Sequence, residues 1–119
     1  MRRMITAMIT LAALANPVLA LPVFADDPRA QVNIVEPPFQ SPQQWAYDPD
    51  GISVAVGTTV TWTNTGAVAH TVTSDDGASF DSGNLDPQSA LSFTADSSGT
   101  FTYHCTFHAW MTATLNVTP

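Results

Sequence analysis

The chain has 119 residues, room for one domain and not two. Ten acidic residues against three arginines and no lysine give a net charge of −7, which argues against nucleic acid or anionic lipid as a partner. A single cysteine, Cys105, rules out an intramolecular disulfide, and without a Cys-x-x-Cys-His sequence covalently attached haem is excluded.

In chain order, Arg2 and Arg3 precede an uncharged, apolar stretch from Met4 to Ala25 that closes on Val23-Phe24-Ala25. A charged start, an apolar middle and a small-residue end read as a secretory signal peptide over residues 1–25. Cleavage after Ala20 is the alternative, as is an uncleaved anchor, although Pro17 and Pro22 interrupt the run. Removing residues 1–25 leaves Arg29 as the only basic side chain against ten acidic ones, a net charge of −9 with no stable membrane insertion. Such a chain would work in the periplasm or another extracytoplasmic space.

Residues 26–44 form a lead-in, with Gln31 to Val35 contributing an edge strand and Pro37, Pro38 and Pro42 marking a loop. From Trp45 onward, residues 45–119 read as a continuous β domain. Ile52, Val54 and Val56 alternate up to a turn at Gly57; Val60 and Trp62 share a face opposite threonines. His70 to Thr73 is a short strand ended by Ser74-Asp75-Asp76-Gly77. Leu91 and Phe93 alternate, and Phe101, Tyr103 and Cys105 share a face opposite Thr102 and His104. Met111, Ala113, Leu115 and Val117 form the last inward stripe. Trp62, Phe93, Phe101 and Tyr103 are the expected core aromatics. Period-two alternation broken by frequent turn signals predicts an all-β antiparallel sandwich or barrel of about seven or eight strands.

The informative segment is Cys105-Thr106-Phe107-His108-Ala109-Trp110-Met111. It sets a thiolate, an imidazole and a thioether at three-residue intervals between two strands, where a tight loop turns all three to one point. His70, on an earlier strand, supplies a second imidazole. Two imidazoles with a thiolate and a weak axial thioether make a blue-copper ligand set, so His70, Cys105, His108 and Met111 are the candidate metal ligands. Thiolate and thioether suit Cu(I), imidazole tolerates both oxidation states, and the metal accounts for the unpaired cysteine. Alternation sends His104 to the opposite face, away from this set.

The stretch from Trp45 to the C-terminus resembles the small cupredoxins of the plastocyanin, amicyanin, pseudoazurin and halocyanin group. The resemblance rests on Trp45-Ala46-Tyr47-Asp48-Pro49 before Ile52-Ser53-Val54, and on Gly57-Thr58-Thr59-Val60-Thr61-Trp62-Thr63-Asn64. His70-Thr71-Val72 and Gly99-Thr100-Phe101-Thr102-Tyr103-His104-Cys105 continue it, and the Cys-x-x-His-x-x-Met loop is the short form nearest amicyanin. The resemblance implies a Greek-key β-sandwich holding one type 1 copper ion. It implies a monomeric electron carrier, not an enzyme, that meets redox proteins such as a c-type cytochrome or a dehydrogenase. An extracytoplasmic copper-binding and trafficking protein is the alternative function. Relatives often carry Pro where this chain has Phe107, and Asn where it has Thr71. The Phe107 N–H is thus free to bond the Cys105 sulfur, which would raise the reduction potential. Phe107, Ala109 and Trp110 would form an apolar collar around His108, with Trp110 alternatively plugging the sandwich end. Asp75, Asp76, Asp81 and Asp86 form a solvated face that could also steer a basic partner.

Overall fold

Alternation of side chains along short β-branched and aromatic runs generates eight strands among the residues that the computed structural model describes, 28–119. The signal peptide expected over residues 1–25 lies outside the described residues. In chain order the strands are β1 (Arg29–Val35), β2 (Ala46–Asp48), β3 (Gly51–Ala55) and β4 (Thr59–Asn64), then β5 (Thr73–Ser74), β6 (Ala90–Thr94), β7 (Gly99–His104) and β8 (Thr112–Thr118). One 3-10 turn, Pro42–Gln44, lies between β1 and β2.

Two four-stranded sheets result, ordered β2-β1-β4-β6 and β3-β8-β7-β5, giving a Greek-key sandwich. β4 shows why the faces separate: Val60, Trp62 and Asn64 are buried, while Thr59 and Thr61 face outward toward Thr94 and Ser92. Val60 lies opposite Phe93 and Trp62 opposite Leu91; in the other sheet Phe101 opposes Leu115 and Tyr103 opposes Ala113. Val32, Ile34, Val60, Trp62, Tyr103 and Leu115 form the fully buried centre, each contributing roughly 1.5–3 kcal/mol by burial. Phe93 and Phe101 pack against this core but remain partly exposed.

Three expectations are corrected. Residues 31–35 are not an edge strand: β1 starts at Arg29 and runs inside its sheet, parallel to β4 and antiparallel to β2. The sandwich is not wholly antiparallel, because β1–β4 and β3–β8 are parallel pairs. Alternation reports which face a residue takes and carries no information on the direction of the neighbouring strand. Finally, His70 to Thr73 is not a strand; only Thr73–Ser74 is, and His70 makes an isolated bridge to Leu85. Side chains replace a ladder there, as described below.

Candidate metal centre

The ligand loop is closed at its base and folded by its own backbone. Cys105 N–H donates to Met111 O at 3.1 Å, joining the end of β7 to the approach to β8. Within the loop His108 N–H donates to Cys105 O (3.3 Å) and Met111 N–H to His108 O (2.9 Å). Two successive three-residue turns therefore repeat the Cys-x-x-His-x-x-Met spacing in space, and this is why those intervals bring the side chains to one end of the sandwich.

His70 arrives by a different construction. Asn64, fully buried at the end of β4, donates its amide to Val68 O (2.8 Å) and Leu85 O (2.9 Å) and accepts from Gly66 N–H (2.9 Å). His70 exchanges backbone bonds with Leu85, and Tyr47 donates its hydroxyl to Thr71 O at 2.5 Å. Glu36, at the end of β1, accepts from Ala67 N–H (2.9 Å) and Val68 N–H (3.1 Å), and its Oε2 lies 2.8 Å from His70 Nε2. These bonds tie residues 64–71 to several other stretches of chain, and the only sheet-like pairing of His70 is its isolated bridge to Leu85.

The structure brings His70 Nδ1, Cys105 Sγ and His108 Nδ1 within 4.8 Å of one another. The sulfur is 3.4 Å from His108 Nδ1 and 3.9 Å from His70 Nδ1. Cys105 and His70 are fully buried and His108 is half-buried. Met111 is buried, with its backbone tied to both Cys105 and His108. His104 points away and pairs with Asp75 at 2.5 Å.

Burial alone would raise the Cys105 thiol, but His70, the amides of Thr71 and Phe107, and His108 outweigh it and bring its pKa down to about 6. Thr71 N–H donates to the sulfur at 3.4 Å, and its hydroxyl accepts from Thr106 N–H at 2.8 Å. Thr71 therefore joins the His70 segment to the ligand loop by both backbone and side chain. The site is thus a pre-formed thiolate flanked by two imidazole nitrogens. A soft sulfur with two borderline nitrogens fits copper in either oxidation state.

Aromatic rings enclose the outer edge. Trp45 presents T-shaped contacts to both His70 (5.7 Å) and His108 (5.2 Å), and Trp110 tilts against His108 at 5.2 Å. Trp110 is 41% exposed and its indole N–H donates to Pro42 O, so it belongs to the rim and does not plug the sandwich end. Phe107, 54% exposed, completes the rim. Asp75, Asp76, Asp81 and Asp86 are all exposed, and Asp76, Asp81 and Asp86 also accept bonds that build their own turns.

Sequence reasoning missed Glu36, Asn64 and Tyr47 as supports of the site. Glu36 carried one readable signal: it is the only glutamate in the chain, alone among uncharged residues between Arg29 and Asp48.

Residues 39–118 match the family model for copper binding proteins of the plastocyanin/azurin family. Among solved structures, a novel purple cupredoxin from Nitrosopumilus maritimus is 30% identical with a TM-score of 0.66, over 75% of this chain and 99% of its own. Reduced amicyanin with a tryptophan-to-tyrosine substitution is 27% identical (TM-score 0.63), over 80% of this chain and 86% of its own. Reduced amicyanin with a proline-to-phenylalanine substitution is 29% identical (TM-score 0.61), with the same coverage. No curated protein matches the sequence.

Proposed function

The chain belongs to the plastocyanin/azurin family of copper-binding proteins, and we propose that it is an exported blue-copper electron carrier with ligands His70, Cys105, His108 and Met111. The observation that carries this reading is the convergence of one thiol and two imidazoles, within 4.8 Å of one another, at one end of the sandwich. Copper bound there supplies one-electron cycling between Cu(II) and Cu(I).

The chain's own residues divide the remaining work. Cys105 and His70, both buried, would hold the metal against solvent, with the buried Met111 supplying a thioether as a further ligand. The hydrogen-bonded loop and the Asn64-braced segment keep the ligands in one arrangement for both oxidation states, so little has to move when charge changes. His108 is the half-buried ligand, and its outer ring edge within the Phe107 and Trp110 rim is the electron port. In this reading the site passes electrons without turning over a substrate, and His104, the remaining histidine, faces away from it.

Exposed carboxylates and a single arginine after the exported leader favour a redox partner that is basic at its docking face, a c-type cytochrome or a dehydrogenase. The acidic tetrad Asp75, Asp76, Asp81 and Asp86 would steer such an encounter, and its rate constant should fall as ionic strength rises. A rate indifferent to salt removes the steering role. The copper assignment is tested by adding one equivalent of Cu(II) to the purified protein. An intense colour that ascorbate bleaches, and that Cys105→Ser abolishes, is expected; a pale solution overturns the reading.

A further inference from the structure

We infer that Glu36 is a positioning residue that fixes the His70 imidazole and holds down the reduction potential of the site. The inference rests on the copper reading above and concerns a residue outside the ligand set. His70 has two ring nitrogens, and Nδ1 is the one that faces Cys105 and His108. The other, Nε2, is 2.8 Å from Glu36 Oε2. A carboxylate there only accepts, so the ring proton resides on Nε2 and Nδ1 presents its lone pair to the metal position. The ring cannot flip without breaking a charge-assisted bond in a site where His70 is fully buried.

The carboxylate is itself built in. Its oxygens take the amides of Ala67 and Val68 at 2.9 and 3.1 Å, and the backbone passes against it at Gly66. A Cβ on Gly66 would collide with the Glu36 carboxylate, so glycine is needed for this close approach and not for its backbone angles. Glu36 follows directly on β1, whose Ile34 lies opposite Asn64 in β4. The same interior strand thus anchors the carboxylate that the sequence places 34 residues before the histidine it holds.

A negative charge on the far side of a ligand imidazole makes that imidazole a stronger donor and favours the more highly charged oxidation state. Neutralising it should therefore favour Cu(I). For Glu36→Gln the Cu(I)-to-Cu(II) ratio at a fixed applied potential is expected to rise about tenfold, equivalent to 59 mV for one electron. Cu(II) affinity should fall about tenfold, the lower end of what outer-sphere partners contribute. In the Cu(I) protein, which is diamagnetic, the Nε2 proton of His70 should exchange with solvent at least about tenfold faster, because its acceptor is weakened.

Gly66→Ala gives an independent test, since it displaces the carboxylate while retaining its charge. It should move potential and proton exchange in the same directions by a smaller factor, and it carries the test if Glu36→Gln does not fold. Wild-type protein that turns intensely blue, with both variants within twofold of it in Cu(I)-to-Cu(II) ratio at fixed applied potential, Cu(II) affinity and proton exchange, overturns the role of Glu36 and leaves the copper reading standing. Wild-type protein that stays pale with Cu(II) overturns both.

Discussion

Cys105 and His108 enter the cluster from one seven-residue loop that ends at Met111, whereas His70 enters it from a segment with almost no ladder of its own. The loop is held by bonds between its own residues, three apart, and by one closing bond between the two strands it connects. The His70 segment is held by Asn64, Leu85, Glu36 and Tyr47, which lie on four different stretches of chain. The difference is one of robustness. A local loop keeps its shape if the neighbouring strands keep their register, while a segment braced from several elements depends on each brace.

The largest expected effect tests that dependence. Asn64 is fully buried and uses both ends of its amide, so Asn64→Ala removes the bonds to Val68 O, Leu85 O and Gly66 N–H, of which only Leu85 O keeps another donor, the His70 N–H. Three hydrogen bonds at about 0.5–1.5 kcal/mol each, with a cavity left at a fully buried position, bring the expected total to about 2–4 kcal/mol. Denaturant unfolding of the metal-free protein reads this directly as a lower midpoint. Folded Asn64→Ala should also bind Cu(II) more weakly, because His70 loses its register with Cys105 while the ligand loop stays closed. A midpoint within error of wild type would show that the segment is held chiefly by its backbone bridge to Leu85.

The same contrast explains what the sequence made legible. The ligand loop could be read because its chemistry and its geometry share one period: three-residue spacing is both the ligand pattern and the turn pattern. The inward stripes Val60-Trp62 and Ala113-Leu115-Val117 were readable for the same local reason, with alternation and burial coinciding. Strand direction was not, since a residue's face is the same whether its neighbour runs parallel or antiparallel; β1 and β3 therefore gave up their faces and concealed their partners. Glu36 was hidden because its role arises only when β1 pairs with β4 and delivers the proline-rich loop to the His70 end. Nothing in the Glu36-Pro37-Pro38 sequence points to residue 70. Trp110 had two equal readings until its indole was found on Pro42 O, a contact spanning 68 residues.

A smaller effect sharpens the loop side of the comparison. The Thr71 amide from the His70 segment donates to the Cys105 sulfur at 3.4 Å, and the Phe107 amide contributes to lowering the Cys105 thiol. Each donor draws charge from the sulfur and favours Cu(I), so each raises the reduction potential. Phe107→Pro deletes one donor and leaves the other. Loss of one hydrogen bond to a charged acceptor, weakened because both oxidation states keep the thiolate, is worth about 1 kcal/mol, a fall of roughly 40 mV. This runs opposite to the rise expected on neutralising Glu36, so voltammetry on the two variants separates a donor on the thiolate from a carboxylate on the imidazole. A potential that rises or stays put in Phe107→Pro would mean that the Thr71 amide alone sets the charge on the sulfur. The loop would then contribute its ligands and their spacing but nothing to the tuning of the copper.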